Sequence, residues 1–293
     1  MLETNRYQEY DTWAWLYNQT MGPEYSQQQL KPLEILLLPK LPQSAKILDL
    51  CCGTGNLTQL LICEGYHVTG LDGSEAMLAY ASVNAPQAEF ILGDARTFEL
   101  SNHFDAVIST SASLNHLMSI EDLKQVFGQV YTALKENGLF LFDLNHPTQM
   151  AKWWRGSIAE GEIESNYAWA IVSNYHQQDN TGYFKVILFR KSNNHRTVFG
   201  YFRGLLYKLL SLRILTRFRL KLLARFSQWE KNWPSTEMTY HIKGYSCSEI
   251  QSTLEAVGFT DVEIRTLEGS SHVDDNHSAY FICRKPDRSK TSH

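Results

Sequence analysis

The side chains whose types could do chemistry gather between positions 49 and 94. ILDLCCGTGNLTQLL, residues 47–61, sets an acid, two adjacent cysteines and a glycine turn between an apolar run and leucines at helical spacing. Cys51 and Cys52 invite a metal or thiolate reading. No His or Cys stands at ligand spacing from them, so packing of the turn is the favoured reading and no metal is expected. Gly53 and Gly55 let the backbone bend tightly and approach a ligand without a Cβ in the way. A helix opening just beyond would offer unpaired N–H groups and a positive dipole end to an anionic group. Asp72 closes the next apolar run, and Asp94 follows the third in ILGDA. An acid at the first place can accept from both hydroxyls of a ribose; one at the second can accept from an adenine amine. Two acids at successive strand ends, with a glycine turn after the first strand, describe an adenosine site. A dinucleotide fingerprint wants a third glycine where this chain has Thr58, and no phosphate-cradling G-x-x-x-x-G-K-[ST] occurs.

Such residues need a sheet edge to hold them. From Lys46 to Pro147, the apolar runs KILDL, HVTGL, EFIL, FDAVIS and LFLFDL alternate with helical patterns. Ser74 is placed to cap one helix. Ile120, Leu123, Phe127, Val130, Tyr131 and Leu134 recur at spacings of three and four, with Gly138 where a C-cap would stand. The alternation predicts an α/β fold with a mostly parallel sheet, helices on both faces, and the ligand at the strands' carboxyl edge. Beyond Pro147, YAWAIVSNYHQQDNTGYFKVILFRK predicts an antiparallel hairpin around Asp179-Asn180-Thr181-Gly182. STEMTYHIKGYS reads as a further strand. Ser246 and Glu249 form a capping box for a helix stopped by Gly258, and DVEIR and SAYFICR close as strands. The expected divisions are an N-terminal helical segment 1–45, a core 46–147, an antiparallel insert 148–245, a helix and strands 246–286 completing the core sheet, and a disordered tail 287–293.

Composition agrees with a globular protein: 43% of the 293 residues are hydrophobic and 20% are charged, which excludes wholesale disorder. A net charge of −4 gives no overall pull toward nucleic acid. Five cysteines without a CxxC pair fit a reducing cytoplasm. The start, MLETNRYQEYDTWAW, shows no charged-then-apolar signal pattern, and no 18-residue apolar window is present.

DLCCGTGN resembles the first motif of class I S-adenosylmethionine-dependent methyltransferases, written D-x-x-x-G-x-G. The resemblance runs on through LDGSEAMLAYA, GDARTF, FDAVIST and ALKENGLFLFDLN, about a hundred residues in the family's order. It implies a Rossmann-like seven-stranded sheet with S-adenosylmethionine as cofactor. Asp49 would orient the turn and the amino group of the methionine part. Gly53 and Gly55 would lie along the cofactor, Asp72 would bind the ribose, and Gly73 and Met77 would flank the adenine. Asp94 and Ala95 would meet its amine and edge, and Ser109 would end the fourth strand near the sulfonium. Cys51, at the cofactor turn, takes a place relatives often give to glycine; a small side chain is tolerated there where the backbone avoids positive φ. EYDTWAWLYNQTMGPEY looks like the lid of small-molecule methyltransferases, with Tyr17 and Tyr25 closing over the cofactor. Helix packing explains Tyr17 equally well, and core packing Met77.

The acceptor is less legible. Methylating a hydroxyl usually needs a base, whereas a neutral amine needs little help. His116 after the fourth strand ranks first; Asn145 and His146 follow the fifth, and Glu237, His241 and Tyr245 could reach the pocket from the appended sheet. The fourth strand runs into S-T-S-A-S-L-N rather than the D/N-P-P-Y/F of adenine methylation, which argues against a DNA enzyme. The arrangement resembles sugar N-methyltransferases, whose antiparallel insert after the fifth strand covers a small-molecule acceptor. The insert here is longer, by roughly the length of a stretch holding eight basic residues and one acid between Gly200 and Lys231. It can be read two ways. As a helix it sets Arg213, Arg217, Lys221 and Arg225 on one stripe and Leu212, Leu215, Phe218, Leu222 and Phe226 opposite, with Arg219 spoiling the apolar side. As a strand, Arg217, Arg219 and Lys221 alternate with Phe218, Leu220 and Leu222. A solvated face, a membrane surface, an acidic partner and an anionic substrate are all open readings. Two further alternatives are an RNA or protein methyltransferase docking through this stretch, and a cofactor-binding subunit without activity.

Overall fold

The computed structural model describes residues 10–191, 207, 209, 210 and 212–287. They fall into two compact units, residues 1–149 with 244–293, and residues 150–243.

The first unit begins with two helices, α1 (Ala14–Gln19) and α2 (Met21–Leu36), and then alternates as expected. β1 (Lys46–Leu50), α3 (Asn56–Cys63), β2 (His67–Asp72), α4 (Glu75–Asn84), β3 (Glu89–Leu92), β4 (Phe104–Ser109), α5 (Ile120–Ala133) and β5 (Leu134–Leu144) follow, and α6 (Pro147–Trp153) leads the chain onward. Ile47, Leu48 and Leu50 are fully buried, which a central parallel strand covered on both faces requires. Ser74 caps α4 by accepting from Met77 N at 3.1 Å. Gly138 is not the stop of α5: the helix ends at Ala133, Asn137 takes the positive φ, and a Cβ at Gly138 would meet the Lys135 carbonyl at 2.8 Å. The glycine is there for a close backbone approach at the start of β5.

The second unit is a four-stranded antiparallel sheet, β6 (Arg155–Ile163), β7 (Tyr167–His176), β8 (Thr181–Arg190) and β9 (Ser235–Lys243), in that spatial order. Two short helices, α7 (Thr216–Leu223) and α8 (Phe226–Trp229), precede β9 in the chain. The hairpin turn falls earlier than its glycine suggested: Asn180 supplies the positive φ of 55°, while Gly182 lies within β8 opposite Tyr175. β6 carried no clear alternation and was not anticipated. Ile163, Ala168, Ala170, Phe189, Leu223, Phe226 and Trp233 form this unit's core. Arg219 points into it, its Nε donating to the Gly161 carbonyl at 2.8 Å and Nη1 to that of Leu210 at 2.9 Å. That turns Phe218 and Leu212, expected on the buried side, outward to 55% and 52% exposure. Arg203, Lys208 and the side chain of Arg213 lie outside the described residues, as does the tail after Asp287.

The chain then returns to the first unit with α9 (Cys247–Val257), β10 (Thr260–Arg265) and β11 (Ala279–Arg284). Its capping box and the Gly258 stop, at φ 115°, both form as read from sequence. The seven strands run in the order β10-β11-β5-β4-β1-β2-β3, all parallel except β11, which is antiparallel to both neighbours. Phe127, Phe140, Phe142, Leu254 and Phe281 pack in one core cluster, and Leu33, Ile47, Leu61, Ile108 and Leu141 in another. Register aligns Asp49 with Gly70 and Ile108, so the carboxyl ends of β1, β2 and β4 meet side by side.

Candidate cofactor site

The turn after β1 is held open by glycine and held shut by carboxylate. Gly53 and Gly55 have φ of 55° and 70°. A Cβ on Gly55 would strike Ala81 of α4 at 2.9 Å, so the turn rests directly on that helix. Asp72 clasps the turn from the end of β2: one carboxylate oxygen accepts from Gly53 N at 2.8 Å and the other from Ser74 N at 2.9 Å. Asp49 is buried at 2% exposure and accepts from the Thr58 hydroxyl at 2.7 Å. Thr58, which removes the dinucleotide fingerprint, therefore steadies the first acid of the motif. Nothing in its spacing alone reveals that.

Burial pushes Asp49 up to about 6, against the lowering bond from Thr58, and the nearby Asp72 charge adds to the rise. Burial likewise raises Asp72, although backbone N–H groups of Ser74, Gly53 and Gly73 offset part of it. Among the described residues, neither acid is ion-paired. The same burial and the same two charges drive the Cys51 and Cys52 thiols upward, so neither is poised as a thiolate. All five cysteines are free thiols. Cys51 has φ 63°, contrary to the expectation that a side chain here needs negative φ. Its thiol packs at the main core beside Ser109, and that contact accompanies a strained backbone. Ser109 is fully buried and its hydroxyl has no partner of hydrogen-bonding geometry.

The N-terminal helices are fastened to this edge by residues the sequence did not advertise. The Ser74 hydroxyl donates to Asp11 at 2.5 Å and Ala76 N donates to the same oxygen at 3.2 Å, so Asp11 helps cap α4 from sixty residues away. Asn84 Nδ2 donates to Asn18 and to the Thr54 carbonyl, at 2.6 and 2.7 Å. Tyr17 lies over the turn, its Cε1 3.6 Å from where a Gly53 Cβ would be, and packs edge-on against Trp13 and Tyr25. Burial first, then the Asp72 and Asp49 charges, push its hydroxyl well above the ordinary tyrosine value.

Other candidates are placed less simply. Met77 is buried on α4, and Gly73 and Ala95 are partly buried at their strand ends. Asp94 grips Arg96, with Nη2 at 2.6 Å and Nε at 3.0 and 3.2 Å. An adenine amine would share that carboxylate with a guanidinium. His116 sits in a short 3₁₀ turn, its Nδ1 3.0 Å from the Tyr10 hydroxyl. His146 has both ring nitrogens engaged, by the Asp274 carbonyl and the Thr148 hydroxyl. Tyr245 donates to the Leu117 carbonyl at 2.6 Å and Glu237 pairs with Lys185. His241 is exposed on β9 of the second unit, opposite Tyr183. One acid was overlooked altogether. Asp143, on β5, accepts from Ala112 N at 3.1 Å, and with Ser111 it braces two successive left-handed residues after β4. Burial pushes it to about 6.

The residues present suit a ligand that is part cation and part nucleoside. Two acids without an ion pair among the described residues, Asp49 buried and Asp72 partly buried, favour positive charge, and the glycine turn admits close approach.

Comparison with known proteins bears on what that ligand is. Residues 47–138 match the family described as "Methyltransferase domain". An uncharacterized methyltransferase of Synechocystis sp. is 34% identical over 143 residues, 48% of this chain and 66% of that protein. A dTDP-3-amino-3,4,6-trideoxy-alpha-D-glucopyranose N,N-dimethyltransferase of Streptomyces venezuelae is 28% identical over 132 residues, 45% of this chain and 52% of that one. The matches span between half and two thirds of the first curated relatives' lengths. Among solved structures, an S-adenosylmethionine-dependent methyltransferase from Clostridium acetobutylicum superposes with a TM-score of 0.66 at 16% identity, covering 95% of this chain and 99% of that one. At that identity the likeness is one of fold.

Proposed function

We propose that the protein, whose residues 47–138 match the methyltransferase-domain family, binds S-adenosylmethionine and transfers its methyl group to a nitrogen or oxygen of a small molecule. The observation that carries the reading is the pair Asp49, buried, and Asp72, partly buried, on either side of the Gly53–Gly55 turn and, among the described residues, without ion pairs. Sulfonium and ammonium are the cationic groups such a pair favours, and a ribose diol is what an acid at the end of β2 accepts from. When bound, the cofactor supplies a methyl group on positively charged sulfur, open to direct displacement. The protein's part is alignment and exclusion of water. Asp72 holds the turn and has lone pairs left for the ribose. Asp49, kept in place by Thr58, faces positive charge. Tyr17 covers the turn. His116 is the first candidate for taking a proton from the acceptor, with Tyr10 fixing its ring. The relative from Streptomyces venezuelae is named for acting on an amino sugar, which supports a small, polar acceptor.

Calorimetric titration with S-adenosylmethionine tests the site. Binding should be tight in the native chain and lost in Asp72→Ala; unchanged affinity in that variant overturns the assignment. Incubation with methyl-labelled cofactor and a small-molecule extract tests the transfer. Binding without label transfer would make the chain a cofactor-binding subunit.

A further inference from the structure

No residue of the second unit's basic stretch is among those given a role above, and its described face is unusual. Ile214, Phe218 and Trp229 are 88%, 55% and 66% exposed, and Leu209 and Leu212 about half. Arg217, Lys221, Arg225 and Lys231 are exposed among them. Between Tyr207 and Trp229 the chain has no Asp or Glu, and Glu230 is buried, taken by the Tyr207 hydroxyl. A merely solvated helix would turn its apolar side chains inward. Here Leu223 and Phe226 turn inward beside Arg219, while Phe218, Ile214 and Trp229 stand out beside the cations. Lys221 and Arg225 also line, with Ile158, Val172, Ile187, Phe189 and Glu237, a cleft of about 580 Å³.

We propose that this face docks the protein on an anionic membrane surface, Phe218, Ile214 and Trp229 entering the headgroup region while Arg217, Lys221, Arg225 and Lys231 meet lipid phosphates. Large exposed apolar groups interleaved with Lys and Arg and free of acids is the pattern of an interfacial segment, where aromatic side chains straddle the boundary and long cationic side chains reach the headgroups. Each cation near such a surface adds roughly a fivefold gain in partitioning, and salt screens it. Among the described residues no helix is long and apolar enough to cross a membrane, so the contact is peripheral and reversible.

The test is co-sedimentation of the full chain with phosphatidylcholine vesicles, with and without phosphatidylglycerol, at low and high salt. The expected result is pelleting with the anionic vesicles at low salt and release at high salt. A Phe218→Ser/Trp229→Ser variant should lose at least tenfold in partitioning, and Arg217→Glu/Lys221→Glu/Arg225→Glu about a hundredfold or more. Both should keep the native far-ultraviolet spectrum and affinity for S-adenosylmethionine; Trp229→Ser alone serves should either fail to fold. No pelleting at low salt overturns the proposal, as does pelleting that the substitutions leave unchanged. Concentration-dependent dimerisation abolished by Phe218→Ser/Trp229→Ser, without vesicle binding, would assign the face to a second copy instead and overturn it.

Discussion

Asp49 shows what a single buried acid does to the behaviour of the whole protein. In the unfolded chain an aspartate ionises near 4, while in the fold Asp49 is pushed up to about 6, as is Asp143. Between those values the folded state keeps protons that the unfolded chain has released, so stability falls as pH rises from about 4 and the full penalty is present above about 6. The melting temperature of the ligand-free protein should drop across that window, and Asp49→Asn should flatten part of the drop. Affinity for cationic S-adenosylmethionine should run the other way, strengthening as pH rises through 6; an affinity constant from pH 5 to 7.5 would count against Asp49 as its partner. Cys51 makes a second residue-level case. A left-handed φ costs a residue with a Cβ roughly 1–2 kcal/mol, set here against the thiol's packing on the core. Cys51→Gly should change stability by less than about 1 kcal/mol and keep cofactor binding. Cys51→Val, β-branched at positive φ, should lose about 2 kcal/mol or more by chemical denaturation. At this scale the sequence was legible where a motif's geometry is local: Gly53 and Gly55 form the expected turn after β1, with Asp72 at the end of β2 beside it. Asp11, Asp143 and Thr58 were not legible, because their roles come from partners nine to sixty-five positions away.

Elements were readable from their own periodicity and ends. β1 to β5, the Ser74 cap and the Ser246–Glu249 box each depend on neighbours within a few residues, so each was visible. The errors lie where tertiary contact overrides local preference. Gly138 and Gly182 looked like turn residues yet serve close packing. The buried side of α7 rotated because the Arg219 guanidinium found two carbonyls. The N-terminal helices depend on such a contact too, being fastened at Asp11 and Asn18 to α4 and the glycine turn. Asp11→Ala should therefore speed amide hydrogen exchange across residues 10–36 without altering β1 or β4. It should also weaken S-adenosylmethionine binding by roughly tenfold, about 1.4 kcal/mol. Equal exchange in both forms would show that the helices hold by apolar packing alone.

On the scale of the molecule, one unit is interrupted by the other. β5 leaves the sheet at Leu144 and its neighbour β11 begins at Ala279, pairing Leu144 with Ala279 and Leu139 with Arg284. A chain ended after Lys243 would expose the edge of β5, with Phe140 and Phe142 uncovered by Phe281. It should partition into the insoluble fraction on expression more than the full chain does. That pairing was foreshadowed by SAYFICR reading as a terminal strand, but which edge it would join lay beyond any local pattern. The interruption also sets a clock. At ordinary elongation rates a ribosome needs on the order of ten seconds to travel from β5 to β11, and for that interval the nascent cofactor sheet waits with one apolar border unsealed. The 150–243 unit emerges and packs its own core during the wait, so the unit that holds the seven-stranded sheet, though begun first, is completed last.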